Sequence, residues 1–283
     1  MSRTGAIVRD MKITDEDCLA ETLEFNRRYE PRELPLEVLR RNRLGGDTPP
    51  VRLPQAQDRV VHGVPVRVFT PDRVDGVYLH IHGGGWSFGS ADGQDEKLWK
   101  LATETRLAVV SVEYRLAPEH PFPAGPDDCE AAARWAEAEF GTKRLLIGGE
   151  SAGAHLSVLT LLRLPGVFRA ANLVFGAYDL SEPATDRLKR TYEQFTPGMT
   201  AEQRRAPEIS PVFADLTGLP PARIVVGAED PLLEDSLALA ERWQAPVELS
   251  VVAGAPHGFT LYPLTIAERE FRREREFLAG SGL

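Results

Sequence analysis

Cysteine is scarce in this sequence: Cys18 and Cys129 are the two in 283 residues. Neither belongs to a Cys-x-x-Cys pair or a Cys/His cluster, so a zinc site built from cysteines is excluded, and two free thiols fit a reducing compartment. Long apolar runs are also missing. None approaches the ~18 residues needed to span a bilayer, and the start, MSRTGAIVRDMKITDEDC, lacks the apolar core of a secretory signal. Positive charge is in deficit, with 33 Lys+Arg against 42 Asp+Glu and a net charge of −9. Residues 1–75 carry 13 of each sign and the remainder 20 basic and 29 acidic, so no basic arm exists. That balance argues against nucleic acid or an anionic membrane as partner. Neither an internal repeat nor a low-complexity tract is present. The expectation is a cytoplasmic globular protein, long enough to bury a core without disulfide or metal staples.

Residues 1–50 read as amphipathic helix, with Leu19, Leu23, Leu36 and Leu39 spaced among charges and Pro31 and Pro35 breaking the run. A loop is signalled at Gly45-Gly46-Asp47-Thr48-Pro49-Pro50. Residues 59–69 alternate apolar and polar around Gly63-Val64-Pro65. That pattern predicts two short antiparallel strands at a sheet edge, where proline is tolerated. From residue 76 apolar strands alternate with helical stretches. Strands are predicted at 76–81, 107–113, 144–148, 171–175, 223–227 and 247–252. Helices are predicted at about 93–104, 127–139, 152–163, 232–243 and 264–278. Buried strands separated by helices imply an α/β fold, a mostly parallel sheet with helices on both faces. Residues 181–212 break the alternation with charges and prolines, and a structureless loop of that length is rare in a compact domain. The stretch reads as an insertion over a functional face.

Gly149-Glu150-Ser151-Ala152-Gly153 follows a strand and opens a helix, the context that gives Gly-x-Ser-x-Gly meaning. The turn lifts the serine hydroxyl above the strand ends, and amides at the helix start favour developing negative charge. His82-Gly83-Gly84-Gly85-Trp86 directly follows strand 76–81. Successive glycines let backbone N–H groups turn toward one bound atom, as an oxyanion hole requires. The Lys-Ser/Thr ending of a phosphate loop is absent. His82 reads as an orienting hydrogen-bonder. His80 and His82 have no third metal ligand in evidence.

A serine hydroxyl becomes a strong nucleophile when an imidazole accepts its proton, and that imidazole needs a carboxylate to fix its tautomer. Gly227-Ala228-Glu229-Asp230-Pro231 follows one strand and Ala255-Pro256-His257-Gly258-Phe259 follows the next. Both loops lie where open α/β sheets place their sites. Asp230 is nearest the strand end and precedes a stiffening proline; Glu229 is the alternative acid, and Asp235 flanks the next helix. The order Ser151, Asp230, His257 is the serine–acid–histidine order of the α/β-hydrolases.

These residues bring a family into view. The segments at 82–86 and 149–153, together with Tyr114-Arg115-Leu116-Ala117-Pro118-Glu119-His120-Pro121-Phe122-Pro123-Ala124, Asp230-Pro231-Leu232 and His257-Gly258-Phe259, resemble the motifs of the hormone-sensitive-lipase-like branch of α/β-hydrolases. That branch includes many bacterial carboxylesterases, and the resemblance spans about residues 76–262. It implies that Ser151 attacks an ester carbonyl, that His257 moves the proton and that Asp230 orients His257. It also implies that the amides of Gly83, Gly84 and Ala152 hold the oxyanion. No metal or organic cofactor is implied, and the 114–124 segment would brace the loops beneath the site. Glu150 departs from the aspartate common in the branch. Residues 1–54 would be an N-terminal cap segment. Residues 55–283 would be the catalytic domain of an α/β-hydrolase fold, with a small helical cap inserted at about 181–212. Trp86, Phe88 and Tyr178 are the candidate pocket walls. The reading is a serine esterase for short acyl esters of small molecules. An amidohydrolase or deformylase using the same triad is the alternative, with a lyase or non-catalytic binder on the same fold behind it. Relatives often dimerise through an edge strand, here 247–252, which has little edge protection.

Overall fold

The structure, a computed structural model, describes residues 16–28, 35–41 and 51–281. Pro31 and the loop expected at 45–50 lie outside the described residues. In chain order the elements are α1 (Glu16–Arg28), α2 (Leu36–Arg41), β1 (Ala56–Val61), β2 (Val64–Phe69), β3 (Gly76–Ile81), α3 (Asp95–Thr105), β4 (Leu107–Val112) and α4 (Ala124–Phe140). There follow β5 (Leu145–Glu150), α5 (Ala152–Arg163), β6 (Ala170–Val174), α6 (Asp186–Phe195), α7 (Ala201–Arg204), β7 (Ala222–Gly227), α8 (Leu233–Arg242), β8 (Val247–Val252) and α9 (Thr265–Gly280).

The strands form one eight-stranded sheet ordered β1-β2-β4-β3-β5-β6-β7-β8. β1 and β2 pair antiparallel, β2 joins β4 antiparallel, and every later pairing is parallel. The hairpin turns through His62 and Gly63, both at positive φ (49° and 84°), which suits the twist of a two-residue loop. β1 is the outer strand and four of its six residues are exposed. β3, β4, β5 and β7 are buried along their whole length, as strands covered on both faces must be.

Alternation along the strands sorts side chains into two layers. Val77, Leu79, Ile81, Leu145 and Ile147 pack with α4, α5 and α8 residues such as Ala132, Leu156 and Leu239. Tyr78, Val109 and Leu146 point the other way, onto Leu98 and Leu101 of α3 and Leu278 of α9. α1 lies outside α9 and against the β8–α9 connection. Asn26 donates to the Gly254 carbonyl at 2.8 Å, and the Phe25 and Tyr262 rings sit 4.7 Å apart.

Two differences from the sequence reading have physical causes. β5 runs to Glu150 rather than stopping at 148, because the Glu150 carboxylate is buried in a polar network rather than solvated. α4 begins at Ala124, three residues early, with its N-cap at Pro123. The 181–212 stretch holds α6, α7 and a short 3-10 turn at Pro211–Phe213. Thr185 caps α6 by accepting from the Leu188 amide, and Thr200 and Gln203 form a reciprocal capping box on α7.

Candidate active site

Ser151 leaves β5 and caps α5 at φ 54°, ψ −118°. A non-glycine residue rarely occupies that region, and such strain concentrates at functional turns. The Ser151 amide is anchored to the Val174 carbonyl at 2.8 Å. A Cβ on Gly149 would stand 2.0 Å from the Ile81 carbonyl oxygen, and one on Gly153 only 1.9 Å. The turn therefore closes onto β3 only with glycine on either side of the serine.

The Ser151 hydroxyl lies 3.0 Å from His257 Nε2. His257 Nδ1 lies 2.8 Å from Asp230 Oδ2 and 3.1 Å from Oδ1. A carboxylate only accepts, so these partners assign the ring proton to Nδ1 and leave Nε2 to accept from the serine. The Asp230 side chain is fully buried and also accepts from the Leu232 amide at 2.8 Å. The His257 side chain is 36% exposed, enough to meet solvent and a substrate, and stands against the Phe175 ring at 5.0 Å. Glu229, the alternative acid, is exposed and its amide bonds the Ala255 carbonyl. Asp230 is thus the acid that meets the histidine.

Asp235 has a different task. In the first turn of α8 it accepts from the amides of Tyr178 and Asp179 at 2.5 and 2.9 Å, which pins the chain after β6. Burial pushes its carboxyl up to about 6, and the Asp179 and Asp230 charges add to this against the pull of the two amides. The folded chain therefore takes up this proton before the unfolded chain does. The contribution to stability is fully present below the ordinary aspartate range and is lost as pH rises through about 6. Asp235→Asn keeps an acceptor oxygen and cannot ionise. Its stability relative to the parent should be higher at pH 8 than at pH 5 by on the order of 1 kcal/mol. Calorimetry at the two pH values checks this; an equal effect at both would remove ionised Asp235 as a cost.

The glycine loop is braced from several sides. The buried His82 stacks on Tyr114 (4.3 Å, 18°), and its Nδ1–H donates to the Gly83 carbonyl at 2.8 Å. Burial pulls the His82 imidazole down to about 4, so it stays neutral. The Tyr114 hydroxyl donates to the His82 carbonyl at 3.0 Å and the Ala117 amide to the Trp86 carbonyl at 2.9 Å. The 114–124 segment thus braces the loop. The amides of Gly83, Gly84 and Ala152 donate to no protein acceptor among the described residues. A Cβ on Gly83 would come within 2.8 Å of the Glu150 carbonyl oxygen, so this loop lies directly on the serine turn.

The expected pocket walls divide. Phe88 is partly exposed beside the glycine loop. Trp86 and Tyr178 are buried to 3% and 0% exposure, so the expectation that they wall a pocket gives way to core packing. Trp86 stacks on Phe195 of α6 at 4.5 Å.

Sequence reasoning missed two supports. Arg40 of α2 donates from Nε to the Ser87 carbonyl (2.8 Å) and from NH2 to the Ala117 carbonyl (2.7 Å), while pairing with Glu119 at 2.8 and 2.6 Å. Glu150, next to the serine, bonds Lys97 of α3 at 2.8 Å and His80 at 3.1 Å. Burial disfavours the Glu150 carboxylate, but the Lys97 and His80 charges outweigh it and hold the carboxyl far below its usual range. Neither Arg40 nor Lys97 stands in a local motif. A cavity of about 840 Å³ opens beside β2, between Arg40, Arg52, Arg59, Glu113 and His120, away from Ser151. Its arginines are paired with Glu119, Asp58 and Glu139, so it offers little net attraction for an anion.

A family model of the alpha/beta hydrolase fold matches residues 78–261. Carboxylesterase NlhH of Mycobacterium tuberculosis is 35% identical over 256 residues, 77% of this chain and 80% of that protein. Ethyl acetate hydrolase of Pseudomonas putida is 30% identical over 230 residues, 70% of this chain and 72% of that protein. The crystal structure of a hormone-sensitive lipase from a metagenome library superposes with a TM-score of 0.80 at 30% identity, covering 95% of this chain and 99% of that one. On these grounds the chain belongs to the α/β-hydrolase superfamily, in its hormone-sensitive-lipase-like branch of esterases.

Proposed function

We infer that Ser151, His257 and Asp230 are the nucleophile, base and orienting acid of a serine carboxylesterase that cleaves short-chain acyl esters of small molecules. The continuous hydrogen-bonded chain from Ser151 Oγ through His257 to buried Asp230 carries this reading. Ser151 Oγ forms the bond to the carbonyl carbon while its proton passes to His257 Nε2. The carbonyl oxygen takes the negative charge and is met by the amides of Gly83, Gly84 and Ala152. Each such donor is typically worth about 3–4 kcal/mol in the transition state. The carbon–oxygen bond to the alcohol then breaks, and the departing oxygen takes the proton from His257. Water attacks the acyl-serine with His257 again as base, releasing the acid and restoring Ser151.

The remaining assignments belong to the same reading. Residues 1–54, of which α1, α2 and 51–54 are described, and the helices within 181–212 would form the cap on a catalytic domain over 55–283. Phe88 borders the acyl or alcohol pocket. A small cap favours a small substrate, and the similarity to an ethyl acetate hydrolase supports a short acyl group. No described helix is long and apolar enough to cross a membrane; the two unpaired cysteines are what support a cytoplasmic protein. β8 ends the sheet, and its free edge would receive a second copy in a homodimer.

A fluorophosphonate reagent should label Ser151 in the folded protein, with one equivalent bound at complete inactivation, read by intact-protein mass. A p-nitrophenyl ester series should show highest kcat/KM at acetyl to butyryl and a steep fall beyond. Turnover of N-formyl substrates in preference to the acetyl ester would replace the ester reading with amide hydrolysis. Absence of labelling would leave a lyase or a binder.

A further inference from the structure

α5, AGAHLSVLTLLR, is buried from Ala152 to Leu161 and encloses an imidazole completely. His155 sits one turn after Ser151, and its amide donates to the Ser151 carbonyl at 3.1 Å. An unpaired polar group in such a place is costly, so each ring nitrogen should have a partner. Both do. The Trp86 indole N–H donates to His155 Nδ1 at 3.1 Å. His155 Nε2 lies 2.8 Å from the Ile209 carbonyl oxygen. An indole nitrogen only donates and a carbonyl only accepts, so the partners assign a neutral imidazole with its proton on Nε2. Burial, which pulls this group down to about 4, keeps it in that form.

The three groups in contact come from three parts of the molecule that a reaction at Ser151 must keep in register. His155 rides on the helix that the serine caps. Trp86 lies two residues after Gly84 in the glycine loop. Ile209 lies in the insertion between β6 and β7. Aromatic packing reinforces the joint. The Trp86 ring meets His155 edge-on at 5.0 Å, stacks on Phe195 and meets Tyr192 at 5.9 Å, and Phe195 closes on His155 at 5.7 Å. Phe195 and Tyr192 belong to α6, so the glycine loop is clamped between α5 and the insertion.

We propose that His155 is a positioning residue that sets the Gly83 and Gly84 amides relative to Ser151 through Trp86, and couples that setting to the insertion through Ile209. Substrate that shifts the insertion therefore also shifts the donors to the oxyanion. This inference rests on the reading of those amides as the oxyanion hole, and its test separates the two.

Trp86→Phe removes one N–H and keeps the ring stack; His155→Phe removes both hydrogen bonds and puts a somewhat larger apolar ring in the place of the imidazole; His155→Asn keeps an oxygen near the Nδ1 position. Each is assayed with p-nitrophenyl acetate, normalised to titrated active sites, and for binding of a trifluoromethyl ketone that forms a tetrahedral adduct on the serine. Trp86→Phe and His155→Phe should lower kcat about 10–100-fold with KM changed less than about threefold, as donors displaced by a fraction of an ångström lose transition-state contact. Ketone affinity should fall in parallel with kcat/KM, the double variant should be no worse than the poorer single one, and His155→Asn should recover most of kcat. If His155→Phe does not fold, Trp86→Phe alone decides. Unchanged kcat per titrated site in Trp86→Phe, a change confined to KM, or additive losses in the double variant would overturn the inference. If the unaltered protein is neither labelled by fluorophosphonate nor bound by the ketone, the esterase reading itself has failed.

Discussion

Ser151→Ala is expected to lower kcat for ester hydrolysis by about 10⁵–10⁶-fold while Tm stays within about 2 °C of the parent. The two halves of that result have separate origins. The Ser151 side chain makes its hydrogen bond to His257, and the backbone strain at φ 54° is borne equally by alanine. The fold therefore loses little. The chemistry loses its attacking atom, and His257 and Asp230 remain aligned with nothing to deprotonate. Whatever rate survives comes from the oxyanion donors and substrate binding acting on water. Steady-state assay with p-nitrophenyl acetate, paired with calorimetry, reads both halves. Retention of more than about 1% of kcat would take the nucleophile role away from Ser151.

Arg223→Met should lower stability by about 3–5 kcal/mol, a Tm decrease of roughly 6–15 °C for a chain of this size. Arg223 on β7 is 1% exposed, pairs with Glu270 of α9 and donates to the Asn172 side-chain carbonyl at 3.0 Å. Asn172 donates to Glu274 at 2.9 Å, Glu274 lies 3.4 Å from Lys97, and Lys97 reaches Glu150. A chain of five charged groups and one amide thus runs beneath the sheet from Glu270 of α9 to the residue before Ser151. Methionine fills the arginine's volume but leaves Glu270 with Arg273, 3.3 Å away, as its cationic partner. Loss of the closer of two cations from a buried carboxylate, together with the donor to Asn172, drives the effect rather than lost packing. The double variant Arg223→Met, Glu270→Leu should recover most of it, because an apolar pair of similar volume often matches a buried ion pair. Thermal melts of the three proteins test this. A single variant within 1 kcal/mol of the parent, or a double variant worse than the single, would show that the pair is not where the stability resides.

The strands from β3 onward were legible because each is a short apolar run bounded by glycine, proline or charge, and helices fill the intervals. The Ser151, Asp230 and His257 positions were legible for the same reason: each follows a strand end within one to five residues, so a local pattern fixes its place in space. Glu150 shows the limit. A glutamate at the end of LLIGG reads as the strand's exit into water, and only the Lys97 and His80 partners, 53 and 70 positions away, make it a buried strand residue. Trp86 and Tyr178 misled for a related reason. An aromatic beside a catalytic loop faces either the substrate or the core, and the choice is made by α6 and Asp235, which no spacing near Trp86 or Tyr178 encodes. Arg40 belongs to the same class, since its partners at Ser87, Ala117 and Glu119 are 47 to 79 positions distant. The individual helices α6 and α7 could not be placed within the expected helical cap because charge dominates them and their threonine caps are the only local signal.

The contact of Gly149 and Gly153 with the Ile81 carbonyl has a consequence for how the nucleophile is held. With 2.0 and 1.9 Å between that oxygen and any added methyl, the platform under the serine accepts no new side chain at either position. A side chain at either position would lift the serine turn off β3 and carry Ser151 away from His257, so the place of the nucleophile depends on two residues that take no part in the chemistry.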